Sequence, residues 1–360
     1  MSHVSNLQAA MKKAGYEALL VSSELNQRYL TGFAYTDGYV LVLPDEAFLL
    51  ADFRYIEAAR ATADAAEWQV VMPDRPMLKY VAAILTDYKI KSVVYEEESV
   101  SCALRDRLAA TFADVELLSG GSELIEGLRL YKDADEIAAM AKAQSLTDAA
   151  FAHILEYITP ERTEVDVALE IEFFMRAHGS DGTAFETIAV SGTNSSRPHG
   201  TPRPVKLEKG FLTMDFGARV DGYCSDMTRT VVLGRADAEM KRLYNTVKLA
   251  QTTAIGELRV GMPCAEADKI ARDIINNAGY EGCFGHSLGH GVGLFIHESP
   301  RFAASAPADM VLTPGHVVTV EPGIYIEGKY GCRIEDMIAV LPDGTVCDLT
   351  QSPKELIELY

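Results

Sequence analysis

Between Met214 and Thr230 the chain reads MDFGARVDGYCSDMTRT, with FLTM closing the run before Asp215 and MTRTVVL following Asp226. Apolar and β-branched residues on both sides mark two strands, and Asp221-Gly222 between them is a two-residue hairpin signal. Asp215 and Asp226 nevertheless fall where a buried strand calls for apolar side chains. A carboxylate taken alone into a low-dielectric interior costs several kcal/mol, or its pKa shifts until it is neutral. Either a counter-charge is supplied inside, or the two acids are strand-end caps around an ordinary turn.

The same conflict recurs downstream. His286 and His290 lie in FGHSLGHGVG, where helical spacing is opposed by four glycines. Glu321 follows an apolar run in TVEPGIY, and Arg333 and Glu335 stand in CRIED. Taken singly, each has an ordinary reading: a satisfied core histidine, a solvent-facing glutamate, a solvated acid–base pair. Taken together, Asp215, Asp226, His290, Glu321 and Glu335 sit at the ends of strand-like runs in one half of the chain, with His199 and His297 near by in pattern. Four carboxylates carry about four negative charges, which two divalent cations would offset. Oxygen donors with one imidazole and no thiolate suit Mn²⁺, Co²⁺, Fe²⁺ or Zn²⁺ in a working site rather than a structural zinc.

Composition sets the outer limits. Over 360 residues, 48% are hydrophobic and 24% charged, which is globular rather than disordered, and the length allows two domains. The net charge of −19 argues against nucleic acid or an anionic membrane surface as partner. No run approaches the ~20 apolar residues of a membrane span, and the first twenty residues lack a secretion signal, so the expected location is the cytoplasm. The six cysteines form no C-x-x-C pair and read as reduced thiols, mostly packed.

Up to about residue 125, short apolar runs such as EALLVSS, YVLVLP and KSVVYEE alternate with helix-like stretches such as PMLKYVAAILTDY. That alternation predicts an α/β domain. Longer amphipathic helices follow, one opened by a capping box at Thr163 and closed by Gly179, interspersed with Gly-rich strands such as FETIAVSG and HVVTVEPGIYI. This mixture predicts an α+β second domain, with domains 1–125 and 126–360.

The ordered set MDFG…GYCSDMTRT, HSLGHGVGLFIHE, TVEPGIY and RIED closely resembles the pita-bread metallopeptidases, in particular their Xaa-Pro branch, prolidase and aminopeptidase P. NQRYLTGFAYTDGYVLV and LLADFRYIEAA resemble the creatinase-type amino-terminal domain that accompanies them, so nearly the whole chain is spanned. The resemblance implies an α/β creatinase-like domain followed by an α+β pita-bread catalytic domain. It implies that Asp215, Asp226 and Glu335 bind one metal ion and Asp226, His290, Glu321 and Glu335 a second, with Asp226 and Glu335 bridging, and manganese the first choice of metal.

The implied reaction is hydrolysis of the bond preceding proline by a metal-bridging hydroxide, Glu321 serving also as general base. His199 and His297 match histidines that line the substrate site, and Arg333 and Tyr325 match positions that orient the carboxylates and seal the pocket. His286 is open between a structural role and a substrate contact. Arg301, four residues after His297, resembles an arginine that grips a dipeptide's carboxylate, which favours a dipeptidase over an aminopeptidase acting on longer peptides; the alternative is a surface arginine. A metal-free creatinase-like enzyme or a noncatalytic relative would be expected to have lost some of the five ligand positions. The proline amide has no N–H and a fixed φ, so it needs a pocket of its own. A homodimer is expected from the resemblance alone.

Overall fold

Leu19–Val21 and Ala47–Ala51 are buried at every position, as are Val40, Leu41 and Val42 of Gly38–Val42. Strands without an exposed alternate residue need cover on both faces, which is the α/β condition. In the computed structural model, which describes residues 2–360, they form the centre of a six-stranded mixed sheet. Its order is Gln69–Val71, Ala47–Ala51, Gly38–Val42, Leu19–Val21, Ser92–Tyr95, Glu116–Leu118. Serine side chains at 2, 23 and 101 cap the helices His3–Ala14, Glu24–Thr31 and Cys102–Thr111. The unit ends with the helix Gly121–Arg129, and the chain divides into Met1–Arg129 and Leu130–Tyr360. The expected boundary at 125/126 falls inside that helix; the units part at its end.

The second unit is α+β. Its helices Ala134–Tyr157 and Glu164–Ala177 both open with capping boxes, Asp133 with Glu136 and Thr163 with Asp166. They bury Phe151, Ile154, Val167 and Ile171 against Leu212, Met214 and Phe216 of the strand Gly210–Phe216. A second helix pair, Ala238–Glu257 and Cys264–Asn277, packs Leu243, Val247, Ala267 and Ala271 onto Val318, Val320 and Ile338 of a five-stranded sheet. Two helix-covered sheets therefore share one unit, joined where Glu335 N–H donates to the Thr228 carbonyl at 3.1 Å.

The opening segment folds as a long hairpin. Gly210–Phe216 pairs antiparallel with Met227–Leu233, bringing Asp215 opposite Thr228. Between them the chain bends into Ala218–Val220 and Tyr223–Cys224 around Asp221 and Gly222, both with positive φ (52° and 87°). This is the tight turn expected of Asp-Gly. The bend is pinned from within and from outside: Ser225 N–H donates to the Ala218 carbonyl at 2.9 Å, and Ala218 N–H to the hydroxyl of Thr147, on the helix Ala134–Tyr157, at 3.1 Å.

Gly217 sits where the two arms cross, and a Cβ there would lie 1.9 Å from the Ser225 carbonyl oxygen. Backbone cannot yield as a flexible side chain can, so Gly217→Ala is expected to cost about 2–3 kcal/mol by overpacking. A urea midpoint indistinguishable from wild type would show that the crossing relaxes freely.

Candidate metal centre

Asp215, next to last in its strand, is 9% exposed, and Asp226 follows the pinned Ser225 at 4%. His290, in the strand Gly289–Gly291, is 5% exposed, and Glu335, between Arg333 and the strand Asp336–Val340, is 2%. Glu321 follows Val317–Val320 and keeps 16% of its side chain open. The five line one cavity of about 450 Å³. Ligand atoms of Asp226, His290 and Glu335 all lie within 4.8 Å of one another.

His290 Nδ1 is bonded to the Gly291 carbonyl at 3.0 Å, and since a carbonyl only accepts, that nitrogen carries the proton. Burial lowers the ring's pKa to about 4, so it is neutral and presents its Nε2 lone pair. That lone pair faces two more acceptors, Asp226 Oδ2 at 3.6 Å and Glu321 Oε1 at 3.5 Å. The imidazole lone pair and two carboxyl groups thus converge on one point.

The carboxyls respond accordingly. Burial, followed by the charges of Glu335, Asp215 and Glu321, pushes Asp226 well above the usual carboxylate range. Burial, followed by Glu321 and Asp215, does the same to Glu335. Glu321 rises to about 8, chiefly through burial, with Arg333 opposing. Asp215 directs Oδ2 to Arg333 Nη2 at 2.6 Å, while its buried Oδ1 has no protein partner. Against four carboxylates the cavity wall holds two guanidiniums, Arg333 and Arg301, and Arg301 is at the exposed edge. A deficit of positive charge, an orphaned carboxylate oxygen and an oxygen-rich donor set with one neutral imidazole together fit divalent cations.

Residues 138–342 match metallopeptidase family M24, and residues 3–131 match the creatinase/prolidase N-terminal domain. The chain belongs to metallopeptidase family M24. It is 34% identical over 349 residues, 96% of each chain, to an Xaa-Pro dipeptidase of Pyrococcus horikoshii. Its fold superposes on an Xaa-Pro dipeptidase from Bacillus anthracis with TM-score 0.94 at 39% identity, covering 99% of both chains. An X-Pro aminopeptidase from Thermotoga maritima matches with TM-score 0.90 at 33% identity, over 97% of this chain and 99% of that one.

In this metallopeptidase the remaining sequence candidates fall in two groups. His199, His286, His297, Arg301 and Arg333 line the cavity with the four acids and His290. Tyr325 stands behind the wall. Its hydroxyl accepts from Arg333 Nη1 at 2.6 Å and donates to His286 Nε2 at 3.1 Å, while His286 Nδ1 donates to the Ser287 carbonyl at 2.9 Å. Burial holds His286 near a pKa of about 3 and also lowers His297.

Thr228 was missed by reasoning from sequence. It accepts from Arg333 Nε at 2.9 Å and donates to Glu335 Oε2 at 2.7 Å, so one guanidinium orients Asp215 directly and Glu335 by relay. A signal existed: Thr228 lies two positions after Asp226, and the period of a strand returns it to the same face.

Without metal, the folded protein holds a proton on Glu321 up to about pH 8 that the unfolded chain releases near its ordinary 4.5. Folding then takes up a proton across that window, so stability falls as pH rises through it, by at most about 1.4 kcal/mol per pH unit for each such group. Asp226 and Glu335 act with the same sign. Chelator-treated protein is therefore expected to lose urea resistance between about pH 5 and about pH 8, a loss that manganese abolishes. A flat profile in the metal-free protein would mean that protein groups alone compensate the carboxylates.

Proposed function

We propose that the chain is a metal-dependent Xaa-Pro dipeptidase. The observation that carries this reading is the single cavity with an uncompensated acid cluster on one wall and His199, His297 and Arg301 on the same lining. The family membership and the Xaa-Pro dipeptidase named among the similar proteins support it.

Asp215, Asp226 and Glu335 would hold one divalent ion, and Asp226, His290, Glu321 and Glu335 the second. The oxygen-rich set supports manganese ahead of cobalt, zinc or iron. When bound, the ions supply a water acidified for attack and positive charge for the scissile carbonyl.

The chain's own groups do the rest. Glu321 takes the proton of the attacking water and returns it to the proline nitrogen as the carbon–nitrogen bond breaks. His297, kept neutral by burial, offers an N–H to the carbonyl oxygen as it gains charge, and His199 offers one on the same lining near the departing nitrogen. Both ring nitrogens of His286 are engaged by Ser287 and Tyr325, which supports a positioning role for it, shared with Arg333 and Tyr325. Arg301 stands exposed at the cavity edge, where a dipeptide's free carboxylate would meet its fork.

One observation favours a second reading. The X-Pro aminopeptidase structure superposes nearly as well, and an exposed Arg301 leaves room for a longer chain. The proposal also includes a homodimer in the cytoplasm. No helix of the described residues is long and apolar enough to cross a membrane, and all six cysteines are free thiols, consistent with a reducing compartment.

Manganese-loaded protein should cleave Ala-Pro in preference to Ala-Pro-Ala. The reverse preference would establish the aminopeptidase reading, and cleavage of neither would remove both. Arg301→Ala should raise KM for Ala-Pro by about tenfold or more while changing Ala-Pro-Ala little. Glu335→Ala should lower bound manganese and abolish turnover, because a ligand shared by both ions is lost; wild-type turnover in that variant would exclude the assignment.

A further inference from the structure

The segment 293–297 carries Ile296 and His297 onto the cavity lining and leads into the strand Glu298–Phe302. It is folded around the Glu298 carboxylate. Oε1 accepts the Phe295 N–H at 3.0 Å, and Oε2 accepts from the Lys132 ammonium at 2.9 Å. Both side chains are buried, 1% exposed for Lys132 and 9% for Glu298. The wrapping is tight enough that a Cβ on Gly293 would lie 2.5 Å from Glu298 Oε2. Lys132 itself is anchored, its N–H donating to the Gly315 carbonyl at 2.8 Å just ahead of the capped helix Ala134–Tyr157.

A buried ion pair of this kind adds little to stability, because desolvating two charges offsets most of their attraction; apolar side chains of similar volume often do as well. What it does provide is direction. The ammonium fixes the carboxylate, the carboxylate fixes the Phe295 amide, and the amide fixes the backbone that presents His297. None of these bonds involves Asp215, Asp226, His290, Glu321 or Glu335.

We propose that Lys132 is a positioning residue for substrate binding: through Glu298 it holds the 293–297 segment, and with it His297, in the geometry that receives the peptide, independently of the metal ligands. The kinetic consequence rests on the dipeptidase reading; the structural one does not.

The test compares wild type, Lys132→Met and the double variant Lys132→Met/Glu298→Gln, all loaded with manganese. The double variant leaves no charge buried alone and keeps a side-chain oxygen for the Phe295 N–H. Thermal unfolding, manganese affinity, amide hydrogen exchange over 292–298, and KM and kcat for Ala-Pro are measured in each. Expected are KM raised about tenfold in both variants, as for a misplaced contact group, and faster exchange over 292–298. Manganese affinity should stay within about twofold of wild type, and the double variant's unfolding midpoint should return close to it.

If the double variant recovers exchange and KM along with its midpoint, the pair serves stability alone and the proposal is overturned. A tenfold or greater loss of manganese affinity would overturn it too, by placing the effect at the metal ligands. Should Lys132→Met not fold, the double variant decides in the same way. A wild-type protein that leaves Ala-Pro intact would count against the dipeptidase reading, and the exchange rates would still judge Lys132.

Discussion

Uncompensated negative charge is the constraint around which the second unit is built, and two neighbouring residues show what compensation looks like. Asp336 is fully buried, yet Arg229 Nη2 donates to it at 2.7 Å, Gln251 Nε2 at 2.6 Å, and the Lys354 ammonium pairs with it. Burial alone would raise its pKa, but Arg229 and Lys354 outweigh it and the carboxyl lies below its ordinary value. Glu335, one residue earlier, points to the opposite side, and among the described residues its carboxylate has only the Thr228 hydroxyl as a hydrogen-bond donor. Its pKa is driven the other way. The chain has partners available for a buried acid and supplies them at 336; at 335 it leaves the charge for something else to meet.

The backbone around the two acids is anchored by the same arginine that satisfies Asp336. Arg229 donates to the carbonyls of Thr228 and Glu335 at 3.0 and 2.7 Å and to that of Ser352 at 2.8 Å, so the backbone beneath both acids is fixed by one buried guanidinium. A metal pair needs ligands that do not collapse onto one another or turn outward when it is absent. Here Arg333, Thr228 and the Gly291 carbonyl hold three of the five side chains from behind.

Sequence disclosed the parts of this that are local. The capping box at Thr163 and the Asp221-Gly222 turn each depend on residues within a few positions, and each formed where its chemistry placed it. The strand-end acids were visible as a conflict between burial and charge, although each had an ordinary alternative when read singly. Their convergence was not derivable from spacing, since Asp215 and Glu335 meet through an arginine at 333 and a threonine at 228. Only the resemblance supplied that pairing. Glu298 with Lys132, 166 positions apart, lay beyond either route, because a lone lysine in a polar stretch such as YKDADE carries no local signal of burial.

The cavity walls are held by carboxylates of a different kind from those at its centre. Glu164, fully buried, accepts from the Ser191 and Arg203 amides at 2.8 and 2.9 Å, from Arg203 Nη2 at 2.8 Å and from Asn194 Nδ2 at 3.1 Å. Burial would raise its pKa, but the arginine and the amides hold it below the ordinary value. The loop between Ser191 and Arg203 carries His199, as the loop around Glu298 carries His297. His199 and His297, both on the cavity lining, therefore each ride on a loop folded over its own satisfied acid, while Asp215, Asp226, His290, Glu321 and Glu335 sit in or beside strands. The two sets share a cavity but not a hydrogen-bond network at these anchors. Loops tolerate change in sequence and length better than the strands they connect, so the two histidine-bearing loops can vary without disturbing the acid cluster.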